Sequence, residues 1–255
     1  MFINGQKFIP IFLMHTTLNY SPNFDIKKRK SHEIKFIIFH YTGMKNEKKA
    51  IYRLTSLKSK VSSHYFIKKN GEILTLVPDL YIAWHAGTSN WRNLKSLNKH
   101  SIGIEISNPG HKFSYKKFSQ NQIKSVLKLS KFLIKKYKIK SEFILGHSDI
   151  SPERKKDPGE KFPWEFLAKN KVGIWHKLNQ SNLLSERNKK INKIDKKIFV
   201  NNLYKIGYTK NLNNNLEIVV KAFQRRFRQQ LINGLIDREC VLIGKNLVET
   251  NLNNS

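Results

Sequence analysis

The chain has 255 residues, 39% of them hydrophobic, which is room for one large domain, or a medium domain with a small companion, and enough apolar matter for a core. Its 48 Lys and Arg against 18 Asp and Glu leave a formal net charge of +30, a balance that suits polyanions such as nucleic acid, anionic membrane or cell-wall polymer unless the excess is simply a solvated lysine-rich surface. A single cysteine, Cys240, excludes an intrachain disulfide and reads as a small core residue, and no apolar run approaches the ~20 residues that span a bilayer.

In chain order, the first apolar stretch runs from Phe8 to Met14, after Lys7. It is short for the core of an export signal, and no small-residue cleavage site or lipid-accepting cysteine follows it. Residues 1–19 are therefore expected to be an N-terminal segment, a rudimentary export signal at most. The continuous run Phe36-Ile37-Ile38-Phe39 predicts a buried strand ending at His40. Ser63 to Ile67 and Lys69 to Val77 predict a hairpin with Asn70-Gly71 as its turn. Ile102, Ile104 and Ile106 alternate with Gly103, Glu105 and Ser107, the pattern of a strand with one face in the core and Glu105 on the other.

Ser119 and Gln122 form a Ser-x-x-Gln capping box. Behind it Ile123, Val126, Leu127, Leu133, Ile134 and Tyr137 recur at helical spacing, with lysines on the other faces. Phe143-Ile144-Leu145 predicts a further strand leading into Gly146-His147. The composition shifts after Trp175: residues 179–197 are Lys- and Asn-rich and read as a linker or a poorly packed helix. Residues 198–252 read as a small helical module whose apolar stripe is Leu216, Val219, Val220, Phe223 and Phe227.

His40 and His147 thus fall at the carboxyl ends of predicted strands, and Glu105 lies toward the end of a third, where open α/β sheets place their sites. Two histidines and a carboxylate suit a catalytic zinc site with a fourth position left for water. A nearby unliganded glutamate is the base such a site needs. Asp149 and Asp157 are both available as the carboxylate, and the spacing is too dispersed to form a self-contained motif.

The ordered segments Phe39-His40-Tyr41-Thr42, Val61-Ser62-Ser63-His64-Tyr65, Ala83-Trp84-His85-Ala86-Gly87, Ser101-Ile102-Gly103-Ile104-Glu105, Gly146-His147-Ser148-Asp149 and Lys155-Lys156-Asp157-Pro158-Gly159 resemble the zinc-dependent N-acetylmuramoyl-L-alanine amidases of the amidase-2 family, which includes the peptidoglycan recognition proteins. The resemblance covers residues 20 to 167 and is nearest to the AmiD-type branch. It implies an α/β fold with a central mixed β-sheet flanked by helices, over residues 20–178. It implies one Zn2+ held by His40, His147 and Asp157. Glu105 matches the glutamate that activates the attacking water. Lys155, rather than the adjacent Lys156, matches the cation that stabilises the tetrahedral intermediate. His64 and His85 match positions lining the cleft, and Trp84 is a candidate contact for glycan or peptide, as is Trp91. The C-terminal module resembles a three-helix peptidoglycan-binding domain through Val220 to Phe227 and Gly234 to Asp237, although Asp237-Arg238-Glu239-Cys240 departs from that family's Thr-rich helix start.

The expected partners are peptidoglycan or anhydro-muropeptides, met by a monomer with no transmembrane segment, in the cell envelope or periplasm, with the cytoplasm as the alternative. A non-catalytic wall-binding protein on the same fold is the competing reading, and the intact ligand set argues against it. Specific nucleic-acid binding rests only on the charge, because the helical period of Phe223 to Arg228 accounts for its aromatics as core.

Overall fold

The computed structural model describes residues 2–3, 6–7, 15–209 and 216–251, so the apolar stretch 8–14 lies outside the described residues. A six-stranded mixed sheet forms the centre, built from β1 (Thr17–Leu18), β2 (Phe36–Tyr41), β3 (Tyr65–Ile67), β4 (Ile73–Thr75), β5 (Ser101–Ile106) and β6 (Ile144–Gly146) in the spatial order β6-β2-β5-β3-β4-β1. All neighbours are parallel except β3 and β4. Those two form the expected hairpin, but its loop has three residues, Lys69 to Gly71. The Gly71 N–H donates to the Lys68 carbonyl at 3.0 Å, and Gly71 takes the left-handed φ of +91° that closes such a loop.

Period-two alternation divides the sheet into two faces. Ile37, Phe39, Ile102, Ile104, Ile106 and Ile144 bury one face against α2 (Gln120–Tyr137) and α4 (Trp164–Lys169), through Val126, Leu129, Leu133, Trp164 and Leu167. The capping box that opens α2 is formed: the Gln122 N–H donates to Ser119 Oγ at 3.2 Å, and the Ser119 N–H donates to Gln122 Oε1 at 3.0 Å.

The other face is shared. At one side α1 (Glu47–Thr55) packs Ala50 and Leu54 against Phe66 and Leu74. Sequence reading passes over α1, whose signals are the Asn46 cap, accepting from the Lys49 N–H at 3.0 Å, and only two buried side chains. At the other side Phe36, Ile38 and Leu145 join Phe199, Leu203, Val220, Phe223, Phe227 and Leu247 in one apolar cluster. These come from α6 (Lys193–Ile206), α7 (Leu216–Phe227) and α8 (Arg238–Asn251). Each fully buried Phe, Leu or Ile contributes roughly 1.5–3 kcal/mol, so a handful of such contacts rivals the net stability of a whole domain. The C-terminal helices are part of the same core as the sheet.

Residues 179–197, read as a linker or a poorly packed helix, carry α5 (Gln180–Glu186) and the opening of α6, so the linker is the reading that fails. Asn179 caps α5 by accepting the Ser181 N–H at 2.9 Å, and Asn192 caps α6 by accepting the Asp195 N–H at 2.8 Å. Only Leu183 of α5 is buried, so its polar composition conceals a packed helix. Arg187 then ties this stretch to α8 by a bidentate pair with Glu239, at 2.7 and 2.8 Å. The departure at Asp237 has a simple outcome: its Oδ1 accepts the Cys240 N–H at 3.0 Å and caps α8 as a threonine would. Cys240 is fully buried, and burial pushes its thiol up to about 12, as a core residue requires. Among the described residues, no helix is long and apolar enough to cross a membrane.

Candidate metal centre and cleft

On β2 the alternation that buries Phe36 and Ile38 puts His40 on the same face at the strand end, where the apolar cover stops. Parallel pairing sets Glu105 of β5 beside His40 in register. β6 ends one residue before His147, which opens the four-residue helix α3 (His147–Ile150). The Ser148 N–H donates to the Asp157 carbonyl at 2.8 Å and brings the loop of Asp157 alongside.

The result is a triangle of donor atoms. His40 Nδ1 lies 2.9 Å from His147 Nδ1 and 3.1 Å from Asp157 Oδ2, and His147 Nδ1 lies 3.0 Å from Asp157 Oδ2. All three residues are buried. Ligands at about 2.0–2.1 Å from a tetrahedral ion stand about 3.3 Å apart, so a shift of a few tenths of an ångström accommodates one.

The hydrogen-bond network assigns the tautomers. Ser101 Oγ donates to the Leu97 carbonyl at 2.7 Å, so it accepts from His85 Nε2 at 3.2 Å. His85 Nδ1 is then an acceptor, and His40 Nε2 donates to it at 3.0 Å. His147 Nε2 likewise donates to the Ala86 carbonyl at 3.1 Å. Both Nδ1 lone pairs therefore point at the Asp157 carboxylate oxygen. Three lone pairs converging in a buried site repel one another unless a cation lies between them, and this donor set fits a metal ion.

Electrostatics agrees. Burial, and then the neighbouring His147, push His40 down to about 4, which keeps its imidazole neutral. Burial alone would raise the Asp157 carboxyl, but the close approach of His147 and then His40 holds it far below the usual carboxylate range. Glu105 shows the opposite. Burial, and then the Asp157 charge, push it up to about 8, and its Oε2 is buried without a hydrogen-bond partner. A carboxyl poised near neutrality with a free oxygen is suited to proton transfer.

These groups open into a cavity of about 600 Å³, within the range of small-ligand sites. Its lining includes His40, Trp84, His85, Glu105, His147, Lys155 and Asp157. Lys155 and Lys156 both reach the cavity, yet it is the Lys155 charge that acts on Glu105 and on His40. The cavity also draws Arg53 from α1, and His111, Lys112 and Arg154 from loops, none of which sequence reading singled out. Arg53 follows α1 in being overlooked, and the loop residues carry no periodic signal.

His64 lies elsewhere. It is fully enclosed, its Nδ1 accepts the Gly103 N–H at 3.0 Å, and its Nε2 faces Arg29 and the Tyr81 carbonyl, so it sits behind the cleft wall rather than on it. Trp91 is also buried, stacked edge-on with Tyr208. Trp84 stands at the rim with its Nε1 donating to Asp25 Oδ1 at 2.8 Å.

Gly103 makes room for His85: a Cβ there would clash with the imidazole ring, 2.4 Å from Cγ and 2.7 Å from Nδ1. Gly103→Ala is expected to fold, because a strand accepts alanine, and to displace His85 from His40. Metal affinity should then fall about 10–100-fold, as for other groups that orient metal ligands. A competition titration with a chromogenic zinc chelator checks this, and unchanged affinity would remove His85 from the orienting role.

Comparison with known proteins agrees with this geometry. Residues 30–160 match the family described as N-acetylmuramoyl-L-alanine amidase, a span that holds every candidate ligand together with Glu105 and Lys155. The chain is 35% identical over 232 residues to N-acetylmuramoyl-L-alanine amidase AmiD of Escherichia coli, covering 85% of this chain and 83% of that protein. It is 33% identical over 163 residues to the 1,6-anhydro-N-acetylmuramyl-L-alanine amidase AmpD of Haemophilus influenzae, covering 57% and 86%. The structure of AmiD from E. coli in complex with the substrate anhydro-N-acetylmuramic acid-L-Ala-D-gamma-Glu-L-Lys superposes with a TM-score of 0.75, over 85% of this chain and 89% of that one. AmpDh3 of Pseudomonas aeruginosa, in complex with anhydromuramic pentapeptide, superposes at 0.74 and 26% identity, over 88% and 93%. Both likenesses cover more than the first 178 residues amount to, so they extend into the C-terminal helices. With its ligand triangle, the glutamate beside it and this extent of likeness, the chain belongs to the N-acetylmuramoyl-L-alanine amidase family.

Proposed function

We propose that this protein is a zinc hydrolase that cleaves the amide bond between N-acetylmuramic acid and L-alanine in peptidoglycan or its muropeptide fragments. The observation that carries the reading is the convergence of three unprotonated donors, His40 Nδ1, His147 Nδ1 and Asp157 Oδ2, beside the unpartnered carboxyl of Glu105 in one cavity. His40, His147 and Asp157 would hold one Zn2+, which when bound supplies a Lewis acid and brings the pKa of water toward ~7.

The protein's own groups do the rest. Glu105 takes the proton of the attacking water and returns it to the departing alanine nitrogen. Lys155 places a fixed cation where negative charge grows on the carbonyl oxygen. Trp84 and His85 form a wall against which glycan or peptide lies. Arg53, Lys112, Arg154 and Lys156 make the cleft cationic, which suits the carboxylates of an acidic stem peptide. His64, enclosed behind that wall, supports it without touching substrate.

The C-terminal helices resemble a wall-binding unit, and with that we place the enzyme, as a monomer, in the cell envelope rather than the cytoplasm. Digesting intact sacculi and purified anhydro-muropeptides side by side, with mass spectrometry of the products, tests the function. Free peptides beginning with L-alanine are expected from both. Release from anhydro-muropeptides alone would overturn the envelope reading, and release from neither would overturn the amidase reading.

A further inference from the structure

Arg226 belongs to a basic run, Arg225-Arg226-Phe227-Arg228, whose default place is a solvated face. The structure buries it instead. Its Nη1 donates to Asp149 Oδ2 at 2.7 Å, with both side chains at most 2% exposed, and its Nη2 donates to the Ile144 carbonyl at 2.9 Å. The guanidinium lies 4.5 Å from the Trp164 ring centroid. The other oxygen of Asp149 accepts the Tyr208 hydroxyl at 2.9 Å, and Oδ2 also accepts the Gly146 N–H at 2.8 Å.

These contacts bracket a metal ligand. Ile144 and Gly146 precede His147 on β6, and Asp149 follows it in α3. A helix of four residues cannot sustain itself, because nucleation costs more than one turn returns. External contacts must therefore set the position of His147. Asp157 is coupled to the same segment, through the Ser148 N–H on its carbonyl. A displacement of residues 146–149 would move two of the three ligands together.

We propose that Arg226 and Tyr208 are positioning residues for the metal centre, and that the C-terminal helices act as a clamp that holds His147 and Asp157 at ligating geometry. This rests on the metal reading above. It assigns these helices a role in the site itself, separate from any contact with the wall. The carboxylate of Asp149, which sequence reading weighed as a ligand, serves as the point the clamp grips.

The experiment uses the full chain, stripped of metal and titrated with Co2+, whose visible absorption reports affinity and ligand geometry. Arg226→Gln is compared with Arg187→Gln, which breaks a different Arg–carboxylate pair of the C-terminal helices; the side-chain hydrogen bonds of Arg187 go to Glu239 and Gln230. Melting temperatures are taken in parallel. Arg226→Gln is expected to bind Co2+ about 10–100-fold more weakly, with shifted absorption bands, while Arg187→Gln binds as the parent does even if its melting temperature falls as far. An affinity in Arg226→Gln equal to that of Arg187→Gln would reduce the contact to ordinary packing and overturn the proposal. A parent chain that binds no Co2+ would overturn the metal reading itself, a distinct result. If Arg226→Gln does not fold, Tyr208→Phe, which withdraws only a hydroxyl, is read by the same comparison.

Discussion

Replacing Glu105 by glutamine is expected to lower kcat about a thousandfold on a muropeptide substrate, within the ~10²–10⁴ that a positioned acid–base group contributes, while the metal content stays that of the parent. Glutamine keeps the shape and the hydrogen-bonding capacity of the side chain but cannot carry the proton, so a loss of kcat with little change in KM marks the acid–base role. Retention of more than about a tenth of the activity would assign the proton to another group. The same substitution has a stability signature in the metal-free protein. Burial and the Asp157 charge raise the Glu105 carboxyl from 4.5 to about 8. Between those values the folded protein keeps a proton that the unfolded chain has released, so this contribution is full below pH 4.5 and is lost as pH rises through about 8. The metal-free parent should therefore lose stability relative to Glu105→Gln as the pH climbs through that window. Urea unfolding of the two proteins at pH 5 and pH 8.5 measures the difference. His40 and Asp157 titrate in both, so the comparison isolates Glu105.

Asp157→Ala is expected to abolish metal binding and activity together. Asp157 supplies the one formal negative charge of the donor triangle, and its loss leaves only the two imidazoles of His40 and His147. The affinity should fall by more than the ~10–100-fold typical of groups that merely orient ligands. Metal analysis after dialysis, with circular dichroism to confirm folding, checks it. In the parent, removal of the metal by a chelator should silence the enzyme, and added Zn2+ should restore it, whereas Asp157→Ala should not respond. A stoichiometric zinc content in the variant would require a different third ligand. Asp149 is not a ready substitute, because both of its oxygens are already occupied by Tyr208, Arg226 and Gly146.

Much of the sheet was legible in the sequence. The run Phe36 to Phe39 and the alternation of Ile102, Ile104 and Ile106 are local patterns whose period reports burial directly, and both became strands at the expected places. The capping box at Ser119 is equally local. The hairpin was read correctly as a hairpin but not in its loop length, since Asn-Gly serves a three-residue loop here. α1 escaped, and α5 was legible only as an alternative to a linker, because each buries only one or two side chains, too few to raise a period above a lysine- and asparagine-rich background.

The amino-acid sequence determined which residues could do chemistry: two histidines, a glutamate, a lysine and an aspartate in ordered motifs, beside a strand pattern that predicted where the histidines would emerge. The tertiary structure decided their relations. It brought together Nδ1 atoms 107 residues apart, left Asp149 to Arg226 and Tyr208, put His64 behind the wall, and joined the C-terminal helices to the core that carries the site. The physical reason is the range of the interactions. Burial periodicity and capping act over a few residues and leave a trace in the local sequence. Ligand convergence, the orienting of His40 by His85 and Ser101, and a buried ion pair spanning 77 residues depend on the packing of the whole chain.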